Sequence, residues 1–294
     1  MAQLKEIKER INSVKSTRKI TSAMKMVSAA KLNRAQKNIA GMLPYSSAMH
    51  HILRSVLSSG EDFETSLSRQ RPVERVAVVA FSSDSALAGS FNSNVVKELR
   101  RALGAYAHLP KESIRIYTIG KKVFEAVGKL GYTVARNFEG LAARPSYDVL
   151  SAFAGELIAQ FGAAEVDRVE VIYHHFKSAG AQVLTRDVFL PLTLDAAHAQ
   201  EEEEAAARKI LPDYIVEPSS SEVFAALLPK SLKLKLYTML LDSNASEHAA
   251  RVIAMQLATD NADELINDLT IDYNKSRQQS ITSELLDIIG GSMK

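Results

Sequence analysis

Two stretches, one at each end of the chain, constrain its fold more than any other feature, because they almost lack glycine and proline. Residues 4–58 contain only Gly41 and Pro44, and residues 219–289 contain no glycine and only Pro229. In the first stretch apolar side chains recur at Leu4, Ile7, Ile11 and Val14, and again at Ile20, Met24, Val27 and Leu32. This is the three-and-four spacing of a helix whose apolar stripe shifts phase, as along a coiled-coil seam. In the second, Leu265, Leu269 and Tyr273 mark one stripe, and Ile281, Leu285 and Ile288 another. Ser219, Ser220 and Ser221 with Glu222 offer N-cap chemistry at its start. At 1.5 Å per residue the two helices would reach about 80 Å and about 100 Å, too long to be buried in one compact domain. Much of each must project or meet partners. Gly41 and Pro44 are expected to kink or break the first helix, and Pro229 to separate the first turns of the second. Gly290 and Gly291 are expected to end it.

Between these ends the period changes. Residues 73–81, 114–119, 133–138, 166–174 and 181–190 read as strands, and 91–106, 121–130 and 147–161 as helices. Ser178-Ala179-Gly180 marks a hairpin. Strand–helix alternation predicts a mostly parallel sheet with right-handed crossovers. The fold expected is therefore α/β: a Rossmann-like central domain carrying long N- and C-terminal helices that form an antiparallel coiled coil. The segments are 1–60 (N-terminal helix), 70–218 (α/β domain) and 219–294 (C-terminal helix). Residues 195–208, with Glu201, Glu202, Glu203 and Glu204 in a row, read as a solvated surface segment; a calcium loop would space its ligands and include glycine.

Charge is segregated along the chain. Residues 1–37 carry ten Lys and Arg against Glu6 and Glu9, whereas residues 240–294 carry nine acids against four bases. Two unrelated solvated faces would explain this, and so would two helices lying against each other. With 36 basic and 34 acidic residues overall, net charge gives no argument for nucleic acid or a membrane surface. The chain has no cysteine, which excludes disulfides, thiol catalysis and Cys-ligated metal sites. Its longest apolar run, residues 76–81, is far below the roughly 20 residues that span a bilayer.

Little else suggests chemistry. The loop at 82–93 follows the first strand, where a doubly wound fold can bind phosphate, but it holds one glycine, Gly89, and matches no phosphate-binding motif. His50-His51 and His174-His175 are adjacent pairs whose side chains diverge on either a helix or a strand, so neither chelates one metal well. No Ser-His-Asp or paired-carboxylate arrangement is evident, and no cofactor is expected. The basic N-terminal stretch has almost no aromatic residues with which to stack on bases, so no nucleic-acid partner is expected. Residues 19–32 mix methionine with small residues around the whole helix, as suits either an ordinary coiled-coil segment or a shaft that slides past several surfaces.

Two strings carry a resemblance. ITSAMKMVSAAKLNRAQ (residues 20–36) and ATDNADELINDLTIDYNKSRQQSITSELLDIIGGS (residues 258–292) resemble the terminal helices of the gamma-subunit family of F-type ATP synthases. Ile281, Thr282, Glu284, Asp287 and Gly291 match its C-terminal pattern, with Ser292 where alanine is usual. Ala86-Leu87-Ala88-Gly89 stands where the family often has a Gly-Leu-Cys-Gly-like loop, and Val216 replaces a tyrosine in the stretch at 213–218. No cysteine-bearing insert of the chloroplast type is present. The resemblance implies a bacterial-type central rotor shaft, itself non-catalytic, that couples proton or other ion flow to ATP synthesis and hydrolysis. Its implied partners are three alpha and three beta subunits, the epsilon subunit and the membrane c-ring. The implied location is peripheral, at the cytoplasmic face of the inner membrane; the N-terminus, which begins its helix at once with no targeting segment, agrees with a bacterial type. By position, Met24 and Lys25 resemble a neck facing a beta subunit, and Arg277, Gln278, Thr282 and Glu284 a polar catch on the same partner. Tyr214 and Glu217 resemble the foot on the ring and the epsilon subunit. A coiled-coil scaffold, or a small-molecule enzyme built on the α/β domain, are the other readings of the residues.

Overall fold

In a computed structural model, residues 2–57, 65–192 and 215–292 are described. The elements are α1 (Ala2–Leu57), β1 (Val76–Phe81), α2 (Phe91–Ala105), β2 (Ile114–Ile119), α3 (Lys121–Lys129), β3 (Val134–Phe138), α4 (Tyr147–Gly162), β4 (Arg168–Ser178), β5 (Ala181–Leu190) and α5 (Ser220–Ser292). By contact the chain forms two compact units. One comprises residues 31–250, and the other residues 1–30 with 251–294.

In the larger unit the strands form one sheet in the order β3-β2-β1-β4-β5. The first four are parallel, and β5 runs antiparallel to β4 through the hairpin at Ala179-Gly180. Every residue of β1 is buried. Its unbroken apolar run, without strand-like alternation, reflects a sheet covered on both faces. Val76, Val78 and Ala80 pack with Val95, Leu99 and Ala102 of α2 and with Val123 and Val127 of α3. Ala77, Val79 and Phe81 join Leu150, Phe153 and Leu157 of α4. The same core takes Met49, Leu53 and Val56 from α1 and Phe224, Leu228, Leu232 and Leu236 from α5. Each such large side chain, removed from water, contributes about 1.5–3 kcal/mol. The long helices are therefore rooted in the sheet's own core.

The breaks expected in the two long helices are corrected. α1 runs through Gly41 and Pro44 without interruption, and α5 runs through Pro229. A helix proline removes one backbone bond and crowds the preceding turn. Here the buried Phe224, Leu228 and Leu232 flank Pro229 and hold the turns on either side against the core. At the far end α5 continues to Ser292, so Gly290 and Gly291 lie within its last turn and do not end it earlier. The acidic segment at 195–208 lies outside the described residues.

The junction after β1 is built tightly. Gly120 (φ +100°) crosses over the end of β1, where an added Cβ would sit 2.2 Å from the Ser82 carbonyl oxygen. Val123 N–H donates to Ser82 Oγ (3.0 Å), and Lys121 N–H donates to Asp84 Oδ1 (3.1 Å). Both acceptors thus satisfy otherwise unpaired donors in the first turn of α3.

Candidate partner-binding shaft

Residues 2–30 of α1 and 251–292 of α5 form the smaller unit. Its seam is made by side chains at three- and four-residue spacing. Ile11, Thr21 and Ser28 are buried on α1, and Arg251, Met255 and Ala262 on α5. Among the described residues, the polar contacts that join the helices include Arg18 Nε to Asp263 Oδ1 (2.5 Å), Thr21 Oγ1 to Thr259 Oγ1 (2.8 Å), and Lys25 Nζ to Gln256 Oε1 (2.5 Å). As numbers rise on α1 they fall on α5, so the pair is antiparallel, as the sequence predicts. The segregated charges meet here at Arg18 and Asp263. Both side chains are about half exposed, at 49% and 47%, and such a pair contributes roughly 0–1 kcal/mol. Charge helps orient the helices more than it holds them.

Met24 and Lys25 are both half-buried in this seam. The more exposed apolar side chains of the same stretch are Ile20, Met26 and Val27 at about 60%, followed on α5 by Leu257. The sequence shows methionine and small residues all round this stretch but not which side chains its partner helix covers. Arg277, Gln278, Thr282 and Glu284 are all exposed. The rungs carry the register so that Arg277 and Gln278 lie opposite the first turn of α1. Thr282 and Glu284 lie beyond its start, and Thr282 Oγ1 donates to the Gln278 carbonyl (2.9 Å). The structure therefore separates the neck pair from the catch by about 30 Å along the shaft. Past Ile281, α5 is exposed on every side up to Ile289, with Leu285, Leu286, Ile288 and Ile289 bare to solvent. Glu217 is exposed just ahead of α5 in the larger unit, and Tyr214 lies outside the described residues.

The α/β unit offers less. In the loop after β1, Asn92 Oδ1 accepts from the Ser83 N–H (3.0 Å), and Ser83 Oγ donates to the Ser85 carbonyl (2.6 Å). With Ser82 and Asp84 engaged on α3, the polar groups of this loop serve the fold. His174 and His175 diverge as their strand requires. His174 stacks on Phe91 with ring centroids 4.3 Å apart, and His175 Nδ1 lies 2.6 Å from Asp242 Oδ2. Burial pushes His174 down to about 4. Burial also raises Asp242, against the opposing pull of His175. Glu170, fully buried on β4, accepts from Tyr106 (2.6 Å) and from Arg186 (2.8 and 3.1 Å). Burial, then the bond to Glu170, drives Tyr106 up to about 12. These groups brace the sheet against α2. Among the described residues no cluster of His, Asp and Glu is arranged to hold a metal, and no helix is long and apolar enough to cross a membrane.

The chain is similar to known proteins along its whole length. The profile of the family described as ATP synthase matches residues 3–293. The ATP synthase gamma chain of Bacteroides thetaiotaomicron is 53% identical over 298 residues, covering all of both chains.

The chain belongs to the ATP synthase gamma chain family.

A second gamma chain, from Flavobacterium johnsoniae, is 42% identical and covers 99% of this chain and 98% of its own. Among solved structures, a chain of the Euglena gracilis mitochondrial ATP synthase rotor aligns with a TM-score of 0.63. It is 20% identical and covers 95% of this chain and 99% of that one, which shows a shared fold. Gamma-chain membership accords with long helices whose ends have little core of their own.

Proposed function

We propose that the chain is the central shaft of a bacterial F-type ATP synthase. It would be a non-catalytic subunit that turns inside a ring of three alpha and three beta subunits. The observation that carries this reading is the antiparallel pair, which exposes different side chains on each side. A rotating shaft changes the state of a surrounding subunit only if its faces make different contacts. Around the neck, apolar Ile20, Met26 and Val27 are exposed beside Lys25, which Gln256 holds. A beta subunit meeting this stretch would find an apolar surface at one angle and a cationic one at another. Farther along, Arg277 would fork onto a carboxylate while Gln278 both donates and accepts. Thr282 and Glu284 extend the same polar catch, and the bare apolar end beyond Leu285 would seat in the head.

Tyr214 and Glu217 would form the foot toward a membrane c-ring and an epsilon subunit. Membrane contact then comes only through partners, at the cytoplasmic face of the inner membrane. The outer parts of segments 1–60 and 219–294 act as the shaft, and their inner parts belong with segment 70–218 to the base. The test is co-expression with cognate alpha and beta subunits, followed by native mass spectrometry of the ATPase-active fraction. One copy of this chain with three of each partner is expected. A well-assembled, active fraction lacking it would remove the shaft reading.

A further inference from the structure

The seam between Arg18 and Lys25 is unusual in what fills it. Thr21 and Ser28 occupy buried positions on α1, where a coiled coil ordinarily carries branched apolar residues. On α5 the buried positions are Met255 and Ala262, with Thr259, which meets Thr21, between them. The apolar area here is small, and contacts of that kind are not directional. The polar contacts are. Thr259 Oγ1 also lies 2.7 Å from the Met255 carbonyl and Thr21 Oγ1 3.1 Å from the Arg18 carbonyl; with one proton on each hydroxyl, one donates across the seam and the other to its own backbone carbonyl. Lys25 donates to Gln256, whose amide nitrogen donates to Asp260 (2.7 Å). Rolling either helix about its own axis would break all three rungs together.

We propose that the Arg18–Asp263, Thr21–Thr259 and Lys25–Gln256 rungs are positioning residues that fix the roll of the two shaft helices against each other. The rungs set which side chains the shaft shows to its surroundings. With the roll fixed, Ile20, Met26 and Val27 face outward and the Lys25 ammonium is held at one azimuth. A polar residue in a coiled-coil seam specifies one arrangement at a cost in stability. Isosteric apolar replacement should therefore loosen the roll without lowering the melting temperature, a pattern that a merely stabilising contact does not give. The rungs themselves do not depend on the shaft reading; their consequence for coupling rests on it.

Disulfide trapping in the full chain tests this, with no native cysteine to compete. One protein carries Thr21→Cys with Thr259→Cys, a pair that faces across the seam. The other carries Ile20→Cys with Ala258→Cys, positions beside the seam that meet only if the helices roll. With the flanking rungs intact, the first pair is expected to oxidise at least about tenfold faster, a difference of about 1.4 kcal/mol. Adding Gln256→Leu and Asp263→Leu should bring the two rates to within about threefold, with helix content and melting temperature retained. A ratio still near tenfold in that background overturns the proposal. If the doubly substituted chain loses helix, Gln256→Leu and Asp263→Asn are compared singly, and an unchanged ratio in both overturns it equally. Asp263→Glu, which keeps the charge pair, should keep the ratio. Native mass spectrometry of the assembled complex reads the shaft assignment separately, so either can fail alone.

Discussion

On β4, His174 turns toward α2 and His175 toward α5, because neighbours on a strand point to opposite faces. That divergence was legible in the sequence; the environments were not. His174 is 3% exposed and stacked on Phe91, and its Nδ1 has no hydrogen-bond partner, so burial holds the ring neutral. The unfolded chain takes up this proton near pH 6.5 and the folded chain only near 4. Stability from this group is therefore fully present above pH 6.5 and is lost as pH falls toward 4, by about 3 kcal/mol in all. His174→Leu should remove that dependence. Urea midpoints of the two proteins at pH 7 and pH 4.5 check it: the parent should lose more stability on acidification than the variant. Equal losses would mean that His174 does not titrate as a buried neutral group. Among the residues of the shaft, Met24 and Lys25 show the same limit of sequence reading. Their spacing marks the stretch, but only the packed pair shows that Lys25 is bound to Gln256 and that Ile20, Met26 and Val27 are the more exposed.

At the scale of elements, β2 and β5 were legible to the residue, at Ile114–Ile119 and Ala181–Leu190, because turn signals bracket each apolar run. The prolines were not, because local propensity loses to tertiary packing when flanking turns are buried. Pro229 is half-buried between Leu228 and Leu232, and the helix through it lacks one backbone bond. Pro229→Ala restores that donor, and removing an interior helix proline contributes up to about 3 kcal/mol. We expect the melting temperature to rise, with the helix signal at 222 nm kept or increased. A lower melting temperature would show that the ring of Pro229 packs in a way that alanine cannot replace. The rooted segments of α1 and α5 gain their stability from the sheet; the distal ones have little core beyond their own thin seam, so fraying should begin there.

For the whole molecule, the division of labour follows from where burial lies. The residues 31–250 unit carries the large buried side chains, while the shaft unit has a thin seam and many exposed apolar groups. A chain folded for itself alone would not leave Leu285, Leu286, Ile288 and Ile289 bare to water. Arg277 and Gln278 are also exposed and near the end of α5, so changing them should not disturb folding or assembly. If they grip a partner carboxylate in one rotational state and release it in the next, they contribute differential binding, which is what coupling requires. Charge-assisted bonds of this kind contribute about 1.5–3 kcal/mol each, so losing even part of one changes an equilibrium roughly tenfold. Arg277→Ala with Gln278→Ala is expected to assemble normally and to lower ATP-driven proton transport in inverted membrane vesicles by about that factor. Arg277→Lys, which keeps the charge and loses the fork, should fall between. Unchanged transport and unchanged ATPase in the double variant would assign the grip to another part of the shaft, the bare apolar end of α5 being the next region to substitute.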